Sequence, residues 1–191
     1  MSSSGDWNNW IQQQANILNS IASNLLPVQR LITGAAYLIG MAFAFKAIYT
    51  LKTYGESRSS MMSSSNTSLK EPLVYLFVAG IFIYFPTGLA VMLQTTFGSS
   101  SLMQYASVNG NGFGSGLFGS NSLVGRPLTI IIQTIGGIAF VRGWILIART
   151  ASSGQPPGGT GKGFIHVLGG ILAMNIVATL EIINNTLYGT T

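Results

Sequence analysis

Four long apolar runs organise the chain. They extend from about Val28 to Leu51, Leu73 to Leu93, Leu128 to Ala148 and Phe164 to Ile183. Each holds about 20 residues, the length an α-helix needs to cross about 30 Å of hydrocarbon. None shows the period-two alternation of a membrane barrel strand. The pattern predicts an all-α polytopic membrane protein with four transmembrane helices in two tandem hairpins. Ahead of the first run, Trp7, Trp10, Ile11, Ile17, Leu18, Ile21 and Leu25 recur at helical spacing among Asn, Gln and Ser. That spacing predicts an N-terminal amphipathic helix at the membrane interface, anchored by Trp7 and Trp10. A loosely ordered polar tail is the competing reading. The expected divisions are an interfacial segment 1–27, a first hairpin 28–97 with a basic loop, an uncharged Gly/Ser-rich loop 98–125, and a second hairpin 126–191.

Glycine and proline fit a lipid setting. Gly34, Gly40, Gly136, Gly137, Gly169 and Gly170 fall inside the apolar runs. Small residues there let helix backbones approach closely, and packing drives association in lipid. Pro27, Pro72 and Pro127 precede three of the runs, as prolines opening helices do. Pro86 is expected to kink the second helix.

Composition sharpens the class. Of 191 residues only 7% are charged, against roughly 25% in soluble domains, while 48% are hydrophobic. So few charges cannot cover a soluble globule, and the hydrophobicity excludes intrinsic disorder. The absence of Cys excludes disulfides, thiolate metal sites and cysteine nucleophiles. The net charge of +5 is spread along the chain and does not point to sequence-specific nucleic-acid binding. The start, MSSSGDWNNW, lacks a basic stretch followed by a short apolar core, so the first spanning helix is expected to direct insertion.

Charge placement predicts orientation. Lys52, Arg58 and Lys70 lie in the first inter-helix connection, and Arg149 and Lys162 in the third. The connection from Gln94 to Gly125 has no charge, nor does the tail from Asn184. The positive-inside rule puts the two basic loops in the cytoplasm and both termini on the other side. For a bacterial chain this means the inner membrane with periplasmic termini.

The halves also overlay. With an offset of 96, Arg30 meets Arg126, Thr33 meets Thr129, Gly40 meets Gly136 and Lys46 meets Arg142. The ends QTTFG (94–98) and NNTLYG (184–189) are alike. Parallel duplication and chance similarity of membrane helices both account for these matches.

Charges within the runs need an account, since each costs roughly 2.5–3.5 kcal/mol at mid-membrane. Lys46 and Arg142 lie near enough to the basic end to snorkel. Glu181 is the one acid inside a run, and an ion pair with Arg30 or Arg126 at the outer helix ends is its structural reading. Proton or cation handling is its functional one.

Catalytic patterns are sparse. His166 is the sole His, with no carboxylate near it in sequence, and reads as a helix-end residue. PPGGTGKGF (156–164) imitates a phosphate loop but has Pro156 for the first Gly and Gly163 for the Ser/Thr, so it reads as a turn. NGNGFGSGLFGS (109–120) follows no strand, which disfavours dinucleotide binding. Its interleaved apolar residues, with Met103 and Tyr105 just before it, suggest packing on protein or an interface. No enzymatic activity, metal or cofactor is expected, bound phospholipid aside.

LITGAAYLIGMAFAFKAIYTLKTYGE (31–56), SSNTSLKEPLVYLFVAGIFIYFPT (64–87), TTFG, and GTGKGFIHVLGGILAMNI (159–176) resemble the IcmC/DotE family of the Dot/Icm type IVB secretion system. Conjugative-transfer proteins of the IncI plasmid type are similar. The resemblance implies a small non-catalytic inner-membrane component of a machine exporting effector proteins or conjugative DNA. Its partners would be membrane lipid and other secretion-system membrane subunits, in a homo- or hetero-oligomer. Two apolar helices joined by a short basic loop is also the arrangement of conjugative pilins, and this chain reads as two such hairpins. The expectation is a subunit that oligomerises through its Gly-lined faces, as part of a channel or filament, with Lys52, Arg58, Lys70, Arg149 and Lys162 forming a basic ring. An ion or proton-coupled transporter using Glu181 is the alternative.

Overall fold

The first element is a single helix, α1 (Ser3–Ser59), of 57 residues. At 1.5 Å per residue it is about 85 Å long, far more than one bilayer crossing. The computed structural model describes residues 3–59, 69–100, 115–118, 122–152 and 158–189. Pro27, expected to open the first spanning helix, lies in the interior of α1. Its missing N–H leaves the Ser23 carbonyl without its helical donor, at an exposed residue. The expected boundary at 27/28 is therefore not a break in the helix. The N-terminal stretch continues along the axis of the spanning part, whereas a separate interfacial helix would need a turn there.

The second apolar run is not one helix. It forms α2 (Lys70–Ile83) and α3 (Phe85–Phe97), bent by 91° at Tyr84. Pro86 does more than kink: lacking an N–H, it cannot bond the Phe82 carbonyl. The Tyr84 amide turns back to the Gly80 carbonyl at 3.0 Å. After a short helix α4 (Ser115–Phe118), the third run forms α5 (Gly125–Thr150), unbroken over 26 residues. The fourth splits into α6 (Gly159–Met174) and α7 (Ile176–Tyr188), again bent by 91°, at Asn175. No proline causes this break. Asn175 leaves the helical region (φ −120°, ψ 54°), and the Thr179 hydroxyl lies 2.9 Å from the Leu172 carbonyl and 3.0 Å from that of Asn175. The Asn175 carbonyl also accepts the Thr179 backbone N–H at 3.0 Å, so the hydroxyl's distinctive role is to serve the Leu172 carbonyl across the break.

The described residues are all-helical. Two helices, α1 and α5, are long and apolar enough to cross a membrane, or up to four spans if each bent pair counts as one. Residues 60–68, 101–114, 119–121 and 153–157 lie outside the described residues, and with them most of the central Gly/Ser-rich segment.

α5 and α6 pack antiparallel along a glycine seam. Gly136 faces Gly170, and Gly143 faces Gly163. A Cβ on any of the four would come within 3.0 Å of the facing glycine's carbonyl oxygen. Close backbone approach of this kind is the main attraction between helices in lipid. α1 meets α2 at Gly40, where a Cβ would sit 3.0 Å from the Ile83 amide nitrogen. Phe43 of α1 stacks on Tyr75 and Phe82 of α2, with ring centroids 5.8 and 6.4 Å apart. α1 and α5 run parallel: Gln29, midway along α1, meets Thr134 in the first half of α5, and Lys46 shares a cleft with Arg149 further along both. Phe82, Phe85, Phe140 and Trp144 form a continuous buried aromatic chain joining the two halves.

The halves repeat in three dimensions. Gly40 lies against Phe82 and Ile83, the last two residues before the first break. Gly136 lies against Ala173 and Met174, the last two before the second. These pairings match at an offset of 96 in the long helices and 91 in the bent ones. The same 91 relates the breaks at Tyr84 and Asn175. It also relates the C-cap glycines Gly98 and Gly189, both at positive φ (72° and 74°).

Candidate functional site

The basic residues of both halves gather at one end. Because α1 parallels α5, the C-terminal turns of both and the N-terminal turns of α2 and α6 lie together. Lys52, Arg58, Lys70, Arg149 and Lys162 are all exposed there. Lys52 pairs with Glu56 at 3.6 Å, an exposed i,i+4 contact of small energetic weight. Arg58 lies over the Tyr54 ring, 5.6 Å from its centroid.

Below that rim lies a cleft of about 340 Å³ between α1, α2 and α5. Lys46 enters it from one half and Arg149 from the other. Tyr75 forms its wall. Lys46 Nζ sits 4.4 Å from the Tyr75 ring centroid, a cation–π contact across the α1–α2 interface. The Tyr75 hydroxyl is 3.2 Å from Glu71 Oε1 and also bonds Ser152 Oγ. Glu71 opens α2, where the helix dipole favours a carboxylate. One buried tyrosine thus ties the start of α2 to the end of α5, beside two cations.

A second polar group lies deeper, under both helix breaks. Gln29 Nε2 donates to Thr134 Oγ1 at 3.2 Å, linking α1 to α5. Thr33 and Gln133 flank this bond around a cleft of about 90 Å³. Phe85, just after the first break, and Met174, just before the second, close it. Amide and hydroxyl groups at this depth are costly unless paired, and here they fix the register of two parallel helices. The sequence signal was available in Gln29 and Thr134, which are polar residues flanking or inside apolar runs.

The residues singled out from sequence are distributed as follows. Arg30, midway along α1, and Arg126, in the first turn of α5, are exposed, and Glu181 is half-buried on α7. Among the described residues, the expected ion pair of Glu181 with Arg30 or Arg126 is not formed. The 91° bend at Asn175 carries α7 away from the α5–α6 axis, so Glu181 is not stacked alongside the helix ends as a straight fourth helix would place it. Arg142 is exposed on α5, about 10 Å along the helix from Arg149. Trp7 and Trp10 are exposed and meet edge to face at 6.4 Å.

The glycines divide. Gly40, Gly136 and Gly170 are locked inside the chain, and Gly137 is in ordinary contact with Ile32 and Met174. Gly34 and Gly169 face open space. The glycine faces are therefore largely used in intrachain packing, with Gly34 and Gly169 left open on the outside. Gly143 and Gly163 complete the seam and were not legible as packing residues, because Arg142, Trp144 and Lys162 beside them read as interface and turn. His166 is half-buried on α6 with Nδ1 2.8 Å from the Lys162 carbonyl, so Nδ1 carries the proton. The stretch resembling a phosphate loop includes, from Gly159 on, the first turns of α6. Among the described residues no three His, Asp or Glu side chains gather as a metal site would require.

Large apolar side chains dominate the outside. Leu38, Phe45, Ile48 and Tyr49 on α1 and Phe164, Ile165 and Leu168 on α6 are all more than half exposed. Patches of this extent belong against lipid or another protein. No protein-family model, curated protein or solved structure matches the chain.

Proposed function

We propose that this chain is a structural, non-catalytic membrane subunit of a bacterial type IVB secretion or conjugation apparatus, inserted in the inner membrane and working as part of an assembly. α1 and α5 cross the bilayer. Each bent pair completes a hairpin as a broken span, with the α3 and α7 arms running along the periplasmic interface. The basic rim faces the cytoplasm and both termini face the periplasm. Partners are membrane lipid and other membrane subunits of the machine. Support comes first from the convergence of both hairpins' cations at one end, with uncharged connections at the other. The segments that resemble the IcmC/DotE family fall on the second half of α1, on α2 with its break, and on α6.

The test is replacement of Lys52, Arg58, Lys70, Arg149 and Lys162 by Gln in the intact machine. Loss of effector export or plasmid transfer, with the subunit still present in membranes, supports the reading. Unchanged transfer and assembly overturns the role of the basic rim.

A transporter is the second reading, favoured by one observation. Glu181 is half-buried on an apolar helix without an ion pair to either candidate arginine. Glu181→Gln separates the two: a transporter loses coupled flux in vesicles, whereas a structural subunit keeps export.

A further inference from the structure

The contacts between the two halves of one chain leave matching surfaces unfilled at either end. Phe77 of α2 meets Trp144 of α5 edge-on, with centroids 5.9 Å apart. Phe85 of α3 meets Phe140 at 5.9 Å. Tyr75 meets Ser152 through their hydroxyls. Each contact joins the bent helix of the first half to the long helix of the second. The repeat assigns an equivalent to every partner, at an offset of 91 in the bent helices and 96 in the long ones.

Carried forward one step, the relation runs from the second half of one copy to the first half of the next. Leu168 then stands where Phe77 stands, and Ile48 of the next copy where Trp144 stands. Ile176 replaces Phe85 and meets Ala44 of the next copy in place of Phe140. His166 replaces Tyr75 and meets Glu56 of the next copy in place of Ser152. The chemistry agrees at all three positions: two apolar pairs, and an imidazole beside a carboxylate. The pair of Ile176 with Ala44 is smaller than its aromatic counterpart within the chain, so the two backbones would lie closer there. The exposures agree on the long helices: Trp144 is 8% exposed and Phe140 0%, covered by the first half, while Ile48, at the position equivalent to Trp144, is 64% exposed. Ala44, His166 and Ile176 are each partly open. The open strip of α6 also carries Gly169, where a Cβ would meet nothing within 4 Å, which leaves room for a neighbouring helix.

We propose that copies of this chain associate head to tail, the α6 face of one packing on the α1 face of the next by the contact that already joins the two halves within a chain. This deepens the reading of the protein as an assembling subunit and rests on it. Such an interface is heterologous, so it propagates into a ring or a filament and does not stop at a dimer. A second copy, and not lipid alone, covers both faces.

The chain has no cysteine, so paired substitutions report the contact directly. The full-length double variants Leu168→Cys with Ile48→Cys, and His166→Cys with Glu56→Cys, are oxidised in bacterial inner-membrane vesicles. Expected is a ladder of dimers, trimers and higher species from either double variant. Single variants stay monomeric, and two single variants co-expressed stop at dimers. A dimer from Leu168→Cys alone places that face on a two-fold axis and overturns the head-to-tail order. No ladder from either pair overturns the interface. In that case native size in the same vesicles separates the failures: an oligomer means assembly through another face, and a monomer removes the self-assembling reading as well.

Discussion

Gly136 and Gly170 face each other across the α5–α6 seam with no room for a side chain on either. A Cβ on Gly136 would stand 2.9 Å from the Gly170 carbonyl oxygen, and one on Gly170 2.8 Å from that of Gly136. Backbone atoms, which cannot rotate away, set both limits. We expect Gly136→Ala and Gly170→Ala each to destabilise the folded protein by about 1–3 kcal/mol, the usual range for forced overpacking. Gly34→Ala and Gly169→Ala meet nothing within 4 Å. They should be neutral, or gain up to about 1 kcal/mol of helix propensity. Unfolding in mixed detergent–SDS micelles measures all four, and equal losses at all four positions would contradict the seam.

The break at Asn175 is served by a hydroxyl. Thr179→Val keeps the shape of that side chain and removes its donor to the Leu172 and Asn175 carbonyls. Leaving a polar group unmet in apolar surroundings costs about 1–3 kcal/mol. Thr179→Ser should retain most of the stability. Amide exchange over 172–180 reads the effect locally: it should quicken in Thr179→Val and stay near the parent rate in Thr179→Ser.

Tyr75 and Ser152 form one unit with Glu71 at the basic end. Tyr75→Phe and Ser152→Ala should each cost about 1 kcal/mol. Together they should cost little more than either alone, because each removes the same bond. A double-mutant cycle on thermal unfolding in detergent measures the coupling. Full additivity would mean that the hydroxyl bridge does not link α2 to α5 in the membrane-embedded protein.

The elements were readable where chemistry is redundant. Long apolar runs announced the helices, and Gly40 with Gly136 announced the repeat that the packing reproduces. What the sequence hid is set by contacts between distant segments. Pro86 signals a disturbance in the second run but not its angle. Asn175 breaks the fourth run with no proline, and the Thr179 hydroxyl bonds back to the Leu172 carbonyl across the break. Pro27, a dependable helix start elsewhere, is tolerated inside α1, where the residue whose carbonyl it frees is exposed. Gly143 and Gly163 reveal their role only beside each other, 20 residues apart in sequence. Glu181 was assigned a partner on the assumption of a straight final helix, and the bend at Asn175 removes that geometry.

The central claim is that each hairpin carries the chain across the bilayer and back, with the cations of the connecting loops on a single face. Ser57→Cys, Ser99→Cys, Ser152→Cys and Thr186→Cys, each alone in the cysteine-free chain, report it through a membrane-impermeant maleimide added to spheroplasts. We expect Ser99→Cys and Thr186→Cys to label from the periplasmic side, and Ser57→Cys and Ser152→Cys only after permeabilisation. Labelling of Ser57→Cys and Ser99→Cys from the same side would make the first bent pair a re-entrant loop and contradict the account.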